Sequence, residues 1–135
     1  APKVEAAPGG KVLLVEDNAE VAEVTQRLLE EEGFVVHRVA DVAAAEAALA
    51  ESRDRFDVVL SDIVMPGGAN GLDLARAVRH RHGDALPVVL ATGYSDKAQA
   101  ATDEGFVLLR KPYDGNALRM ALTEALRVVG KQAVA

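Results

Sequence analysis

Phe56-Asp57-Val58-Val59-Leu60-Ser61-Asp62-Ile63-Val64-Met65-Pro66 is the stretch on which the reading of this chain turns. Four of its first six residues are apolar and two of those are β-branched, the composition of a buried strand, and an acidic residue stands where that strand must end. In an open parallel α/β sheet, ligands gather outside the carboxyl ends of the strands, so a carboxylate at 62 would be privileged chemically. The plain alternative is a turn former, because Asp62, Pro66, Gly67 and Gly68 are ordinary loop residues, and Asp62 alone does not separate the two.

On the N-terminal side, Lys11 to Val15 is an apolar run suited to a central strand buried on both faces, and it ends at Glu16-Asp17. Asn18 caps a helix in which Val21, Val24, Thr25 and Leu28 recur at helical spacing and are expected to face the core, with Gly33 as its stop. Phe34 to Val39 reads as a second strand, and its polar His37 and Arg38 suit a sheet edge. Asp41 then caps an Ala-rich helix reaching Glu51.

On the C-terminal side, a loop from Pro66 to Asn70 leads into a third helix opened by Gly71, carrying Leu74, Ala77 and Val78 inward and ending at Gly83. Pro87 to Ala91 is a fourth strand ending at Thr92-Gly93, and Ser95 to Glu104 supports a weak helix of about two or three turns. Val107 to Arg110 is a fifth strand ending at Lys111-Pro112. The last helix is expected from about Asp114 to Val129, with Leu118, Leu122, Ala125 and Val129 on one stripe. Five strands alternating with five helices require right-handed crossovers, hence a parallel sheet covered on both faces, with the runs at 11–15 and 58–60 central. Periodicity does not give the spatial order of the strands.

With 135 residues, half of them hydrophobic, the chain suits one domain with a modest core. Residues 1–10, rich in Ala, Pro and Gly, read as a linker or chain edge, 11–129 as the domain, and 130–135 as a frayed tail. No apolar run approaches the roughly 18 residues of a membrane span and no signal peptide opens the chain, so a cytoplasmic location without membrane contact is expected. Zero cysteines exclude disulfides and thiolate chemistry but leave oxygen-ligand metals open. A formal charge of -6 disfavours direct contact with nucleic acid.

At the carboxyl ends of strands one, three, four and five stand Glu16-Asp17, Asp62, Thr92 and Lys111. Converging carboxylates repel one another unless a cation joins them, and Mg²⁺, which takes oxygen ligands at about 2.0 to 2.1 Å, fits. A metal, a lysine and a hydroxyl around one aspartate suit phosphoryl chemistry, with Asp62 as nucleophile forming an acyl phosphate.

These residues resemble the receiver domain of two-component response regulators. The resemblance spans about Lys11 to Val129 and rests on Val-Glu-Asp-Asn at 15–18, Ser-Asp-Ile-Val-Met-Pro at 61–66, Ala-Thr-Gly-Tyr at 91–94 and Arg-Lys-Pro-Tyr at 110–113. It implies a flavodoxin-like sheet of order 2-1-3-4-5 with five helices. It also implies phosphotransfer from the phosphohistidine of a histidine kinase or histidine phosphotransfer domain, with Mg²⁺ as cofactor. Carried across, Glu16 and Asp17 become the metal-binding acidic pair, Asp62 the phosphoacceptor, Thr92 the hydroxyl and Lys111 the phosphate-binding lysine. The Val64 backbone carbonyl would complete the metal site, and Lys111-Pro112 would be a cis peptide.

Three features depart from the common pattern: the Glu-Asp order of the acidic pair, a loop before Gly71 one residue longer than usual, and a short segment between Thr92 and Lys111 with Leu108 in place of the switch aromatic. They are more similar to receivers attached to hybrid sensor histidine kinases, so a C-terminal receiver of such a kinase is expected, not an enzyme as an isolated domain. A stand-alone single-domain response regulator is the alternative. An α/β phosphatase with an aspartate nucleophile is disfavoured, because its general acid would fall two residues after Asp62, where Val64 stands. A binding module that is never phosphorylated would have no use for the full acid, hydroxyl and lysine set.

Other polar residues read more simply. His37, His80 and His82 do not converge on the acidic tips, Glu30-Glu31-Glu32 is a solvated helix end, and Tyr94 and Tyr113 pack at the rim, with Tyr94 a candidate for gating access to Asp62.

Overall fold

The computed structural model describes residues 10–52, 56–65, 70–93 and 97–134. In chain order these form β1 (Lys11–Val15), α1 (Ala19–Glu31), β2 (Val35–Val39), α2 (Val42–Ser52), β3 (Val58–Asp62), α3 (Gly71–His82), β4 (Val88–Thr92), α4 (Ala98–Asp103), β5 (Val107–Arg110) and α5 (Gly115–Val134), with a 3-10 turn at Gly83–Ala85. The expected loop residues 66–69 and Tyr94 lie outside the described residues, as does most of the expected linker.

The five strands form one parallel sheet in the order β2-β1-β3-β4-β5, a flavodoxin-like arrangement. β1 and β3 are interior and β2 is an edge, as their composition predicts. Alternation along β1 sends Leu13 and Val15 into one core and Val12 and Leu14 into the other. The first core lies under α2, α3 and α4 with Leu49, Leu74, Val78 and Ala101; the second lies under α1 and α5 with Ala22, Leu29, Leu118 and Leu122. Each fully buried leucine contributes about 1.5–3 kcal/mol, so two cores on one sheet hold the strand ends in register. All five residues of β3 and of β4 are buried, which fixes where Asp62 and Thr92 emerge.

The caps follow local chemistry. Asn18 Oδ1 accepts from the Val21 N–H at 3.0 Å, Asp41 Oδ1 from the Ala44 N–H at 2.8 Å, and Asn70 Oδ1 from the Asp73 N–H at 2.9 Å. Gly83 leaves α3 with φ of 61°, a conformation that glycine adopts without strain. Among the described residues no helix is long and apolar enough to cross a membrane.

Five expectations need correction. α1 buries Ala22, Thr25 and Leu29; of the expected stripe Thr25 is buried and Leu28 packs partly buried against the second core, but Val21 is only half-buried and Val24 is 54% exposed. Both sets fit helical spacing, and the small Ala22 lets the helix approach the sheet more closely than a face of valines would. In α3 the alanine packed in the core is Ala75, with Ala77 half-buried. α4 spans six residues, fewer than two turns. α5 runs to Val134, past the expected end at Val129 and through the expected tail, because Leu126 to Val134 contains no proline and its single glycine, Gly130, does not interrupt it. Of the acidic run, Glu30 and Glu31 are exposed but Glu32 is half-buried.

Candidate functional site

Each predicted residue stands at the same edge of the sheet. Glu16 and Asp17 follow β1, Asp62 is the last residue of β3, Thr92 the last of β4, and Lys111 follows β5. The parallel register places Asp62 beside Ala91, one residue before Thr92, and Thr92 beside Arg110, one residue before Lys111. Backbone bonds extend the ladder past the strands: the Ile63 N–H donates to the Ala91 carbonyl at 3.0 Å and the Lys111 N–H to the Thr92 carbonyl at 2.9 Å. The sheet therefore sets the spacing of the site.

The carboxylates of Glu16, Asp17 and Asp62 each offer an oxygen within 4.8 Å of the others. Glu16 is 3% exposed and Asp62 8%, whereas Asp17 is open to solvent, so the cluster is walled on one side and accessible on the other. Lys111 Nζ lies 2.8 Å from Asp62 Oδ1 and 3.7 Å from Glu16 Oε1. The Asn18 N–H donates to Glu16 Oε2 at 3.1 Å. Thr92 is 4% exposed, and its Oγ1 has no hydrogen-bond partner among the described residues. A buried hydroxyl is ordinarily bonded, so one left open at this edge suits an oxygen-rich group that arrives from outside.

The electrostatics carry the same message. Burial, then a hydrogen bond and charge repulsion from Asp62, push the Glu16 carboxyl up from 4.5 to about 7, against the opposing pull of Asn18 and Lys111. Burial alone would lower the Lys111 ammonium, but its bond to Asp62 and the charges of Asp62 and Glu16 outweigh this and raise it. One ammonium does not neutralise the acids around it. A divalent cation with oxygen ligands at about 2.1 Å spans about 4.2 Å across its coordination sphere, so this donor set fits Mg²⁺ in size and hardness.

Two features of the site escaped the sequence reading. Gly71 donates its N–H to the Ile63 carbonyl at 2.8 Å, and a Cβ built there would lie 1.9 Å from the Asp62 carbonyl oxygen. Glycine is therefore required for α3 to start against the end of β3, and its place just after the loop was the available signal. Tyr113 is half-buried and its hydroxyl pairs with Thr25 Oγ1 at 2.7 Å, which binds the segment after Lys111 to α1. Burial raises the Tyr113 phenol, and the bond to Thr25 opposes it. The Lys111-Pro112 peptide is cis, as the resemblance implied. His37 packs edge-on against Phe56, with ring centroids 5.8 Å apart, and is no part of the acidic cluster.

A flavodoxin-like sheet carrying an acidic cluster and a lysine at its carboxyl edge defines the receiver class of signalling domain. The chain belongs to the response regulator receiver domain family of two-component signalling, whose family model matches residues 12–123. It is 36% identical over 118 residues to the C4-dicarboxylate transport transcriptional regulatory protein DctD of Rhizobium meliloti, covering 85% of this chain and 24% of that protein. It is 34% identical over 118 residues to the sensor kinase CckA of Brucella abortus, covering 85% of this chain and 12% of that protein. The chain thus spans about a quarter and about an eighth of these relatives. Among solved structures, a response regulator receiver domain protein from Clostridium thermocellum superposes with a TM-score of 0.83 at 26% identity, over 93% of this chain and 99% of that one.

Proposed function

We propose that this chain accepts a phosphoryl group on Asp62 from the phosphohistidine of a histidine kinase or histidine phosphotransfer domain. The observation that carries this reading is the 2.8 Å approach of Lys111 Nζ to Asp62 Oδ1 beside the Glu16 and Asp17 carboxylates. In the transfer, an Asp62 carboxylate oxygen bonds to phosphorus as the phosphorus–nitrogen bond breaks, and the imidazole leaves, taking up a proton. Lys111 holds an equatorial phosphoryl oxygen, and the unpartnered Thr92 hydroxyl donates to another.

Glu16, Asp17 and Asp62, with the Val64 carbonyl, would hold Mg²⁺. When bound, the ion neutralises the acids and the charge that develops on the phosphoryl oxygens. Intact-mass measurement with acetyl phosphate and Mg²⁺ tests the reading: one phosphoryl group per chain supports it, and its absence, or continuing turnover of a phosphate ester, refutes it. Val64, which is 65% exposed, offers no acid for such turnover.

The short α4 and Leu108 favour a receiver within a hybrid sensor histidine kinase, acting in the cytoplasm without contacting nucleic acid or membrane, and not an enzyme in isolation. The similarity to a protein named sensor kinase supports this, and the similarity to a transcriptional regulatory protein supports a separate response regulator instead. Fusion to a kinase in the gene that encodes the chain is the deciding observation.

A further inference from the structure

β1 ends at Val15, and the chain must turn out of the sheet through Glu16 and Asp17 before Asn18 caps α1. Backbone carbonyls at such an exit have left the ladder and need other donors. Here the donor comes from the neighbouring strand. Arg38, on β2, stands opposite Leu14 in the register, and its side chain reaches across the end of β1. Its Nε and Nη2 both donate to the Glu16 carbonyl, at 3.0 and 2.8 Å, and Nη2 also reaches the Asp17 carbonyl at 3.3 Å. A backbone bond from the Glu16 N–H to the Val39 carbonyl, at 3.0 Å, secures the same residue from the same strand.

The guanidinium of Arg38 is spent on backbone oxygens, and this has a chemical consequence. The Glu16 and Asp17 carboxylates keep their oxygens for the cluster with Asp62, while the peptide units that carry them are held from behind. On the other side, the Asn18 N–H orients Glu16 Oε2. Arginine suits the position because its planar fork fills two carbonyls at once; a lysine offers one rotatable point.

We infer that Arg38 is a positioning residue for the cation site: it holds the Glu16-Asp17 turn in the shape that presents both carboxylates to Asp62, and thereby sets the affinity for Mg²⁺. This rests on the phosphoacceptor reading, whose metal site it supports. In sequence Arg38 is only a polar interruption in an edge strand, and nothing in its neighbourhood announces a role at a site that begins 22 residues earlier.

The test is the Mg²⁺ dissociation constant, measured by titration calorimetry for the parent, Arg38→Gln and Arg38→Lys, beside thermal unfolding in metal-free buffer. Loss of a group that orients a metal ligand typically weakens binding by about 10–100-fold, and Arg38→Gln is expected to fall in that range. Arg38→Lys should regain part of the affinity. A tie that merely stabilises the fold would lower the melting temperature and leave the Mg²⁺ affinity of the folded protein at the parental value. Parental affinity in Arg38→Gln overturns the inference, and if that variant does not fold, parental affinity in Arg38→Lys does so. If the parent itself binds no Mg²⁺, the phosphoacceptor reading fails; if the parent binds and Arg38 variants bind equally, only the present inference fails.

Discussion

The Tyr113 hydroxyl and Thr25 Oγ1, 88 residues apart in the chain, meet at 2.7 Å and fasten the segment that follows Lys111 to the inner face of α1. Thr25 is 2% exposed, so removing its partner leaves a buried hydroxyl unsatisfied. Tyr113→Phe should cost about 1–2 kcal/mol, and Thr25→Val about the same. The double variant should cost less than the sum, because each change removes the same bond. Urea unfolding of all three checks this, and strictly additive losses would show that the two hydroxyls are not coupled.

Asp62→Asn is expected to accept no phosphoryl group, and Lys111→Ala to accept it poorly. Both keep the fold, since each side chain sits at the sheet's edge and outside both hydrophobic cores. Intact-mass spectra after exposure to acetyl phosphate and Mg²⁺ decide the matter; labelling of Asp62→Asn at the parental level would assign the acceptor elsewhere.

Stability should depend on pH through Glu16. Its carboxyl titrates near 7 in the fold and near 4.5 when unfolded. Between those values the folded chain keeps a proton that the unfolded chain has released, so metal-free stability falls as pH rises through this window. Glu16→Gln removes this contribution. Mg²⁺ needs the ionised carboxylate, so the stabilisation it provides grows as pH rises through the same window. Thermal unfolding across the window in metal-free buffer, parent against Glu16→Gln, gives the slope; a parent that gains stability relative to the variant as pH rises there contradicts the assignment.

Gly71→Ala should destabilise by about 3 kcal/mol or more, since the added carbon meets a backbone oxygen that cannot turn aside. Gly93→Ala, where the nearest atom is the Lys111 Cβ at 3.7 Å, should be close to neutral. Comparable losses for the two would show that α3 can retreat from Asp62.

Phosphorylation is expected to act on residues 93–104 and leave Leu108, which is half-buried, in place. The far end of this segment is tied down. Arg76 Nε donates to Glu104 Oε1 at 2.9 Å, and Arg79 both donates to the Glu104 carbonyl and stacks on Phe106, 3.8 Å from its ring centre. Hydrogen exchange with and without beryllofluoride should change most between 93 and 100, and Arg76→Ala should extend the change towards 104. A change centred on Leu108 and α5 instead would mean that a different element carries the response.

Much of this was legible locally. Alternation in β1, the apolar run of β3, and Asn18 and Asp41 ahead of their helices each follow from a few adjacent side chains, and so the elements and most of their limits could be read. The site residues were legible because each stands where an apolar run stops, which in a parallel sheet is one common edge. The face of α1 was not, since Val21 and Ala22 begin equally good helical stripes and only the fit against the sheet selects between them.

Residue order alone therefore established the alternating α/β architecture, the interior place of β1 and β3 and the identity of the acids, hydroxyl and lysine at the strand tips, because these depend on hydrophobic period and on neighbours in the chain. The pairing of Tyr113 with Thr25, the reach of Arg38 to Glu16 and the close approach of Gly71 to Asp62 depend on distances between segments far apart in sequence. Packing sets such distances: the two cores fix how the strands lie side by side, and that geometry selects which polar groups can meet.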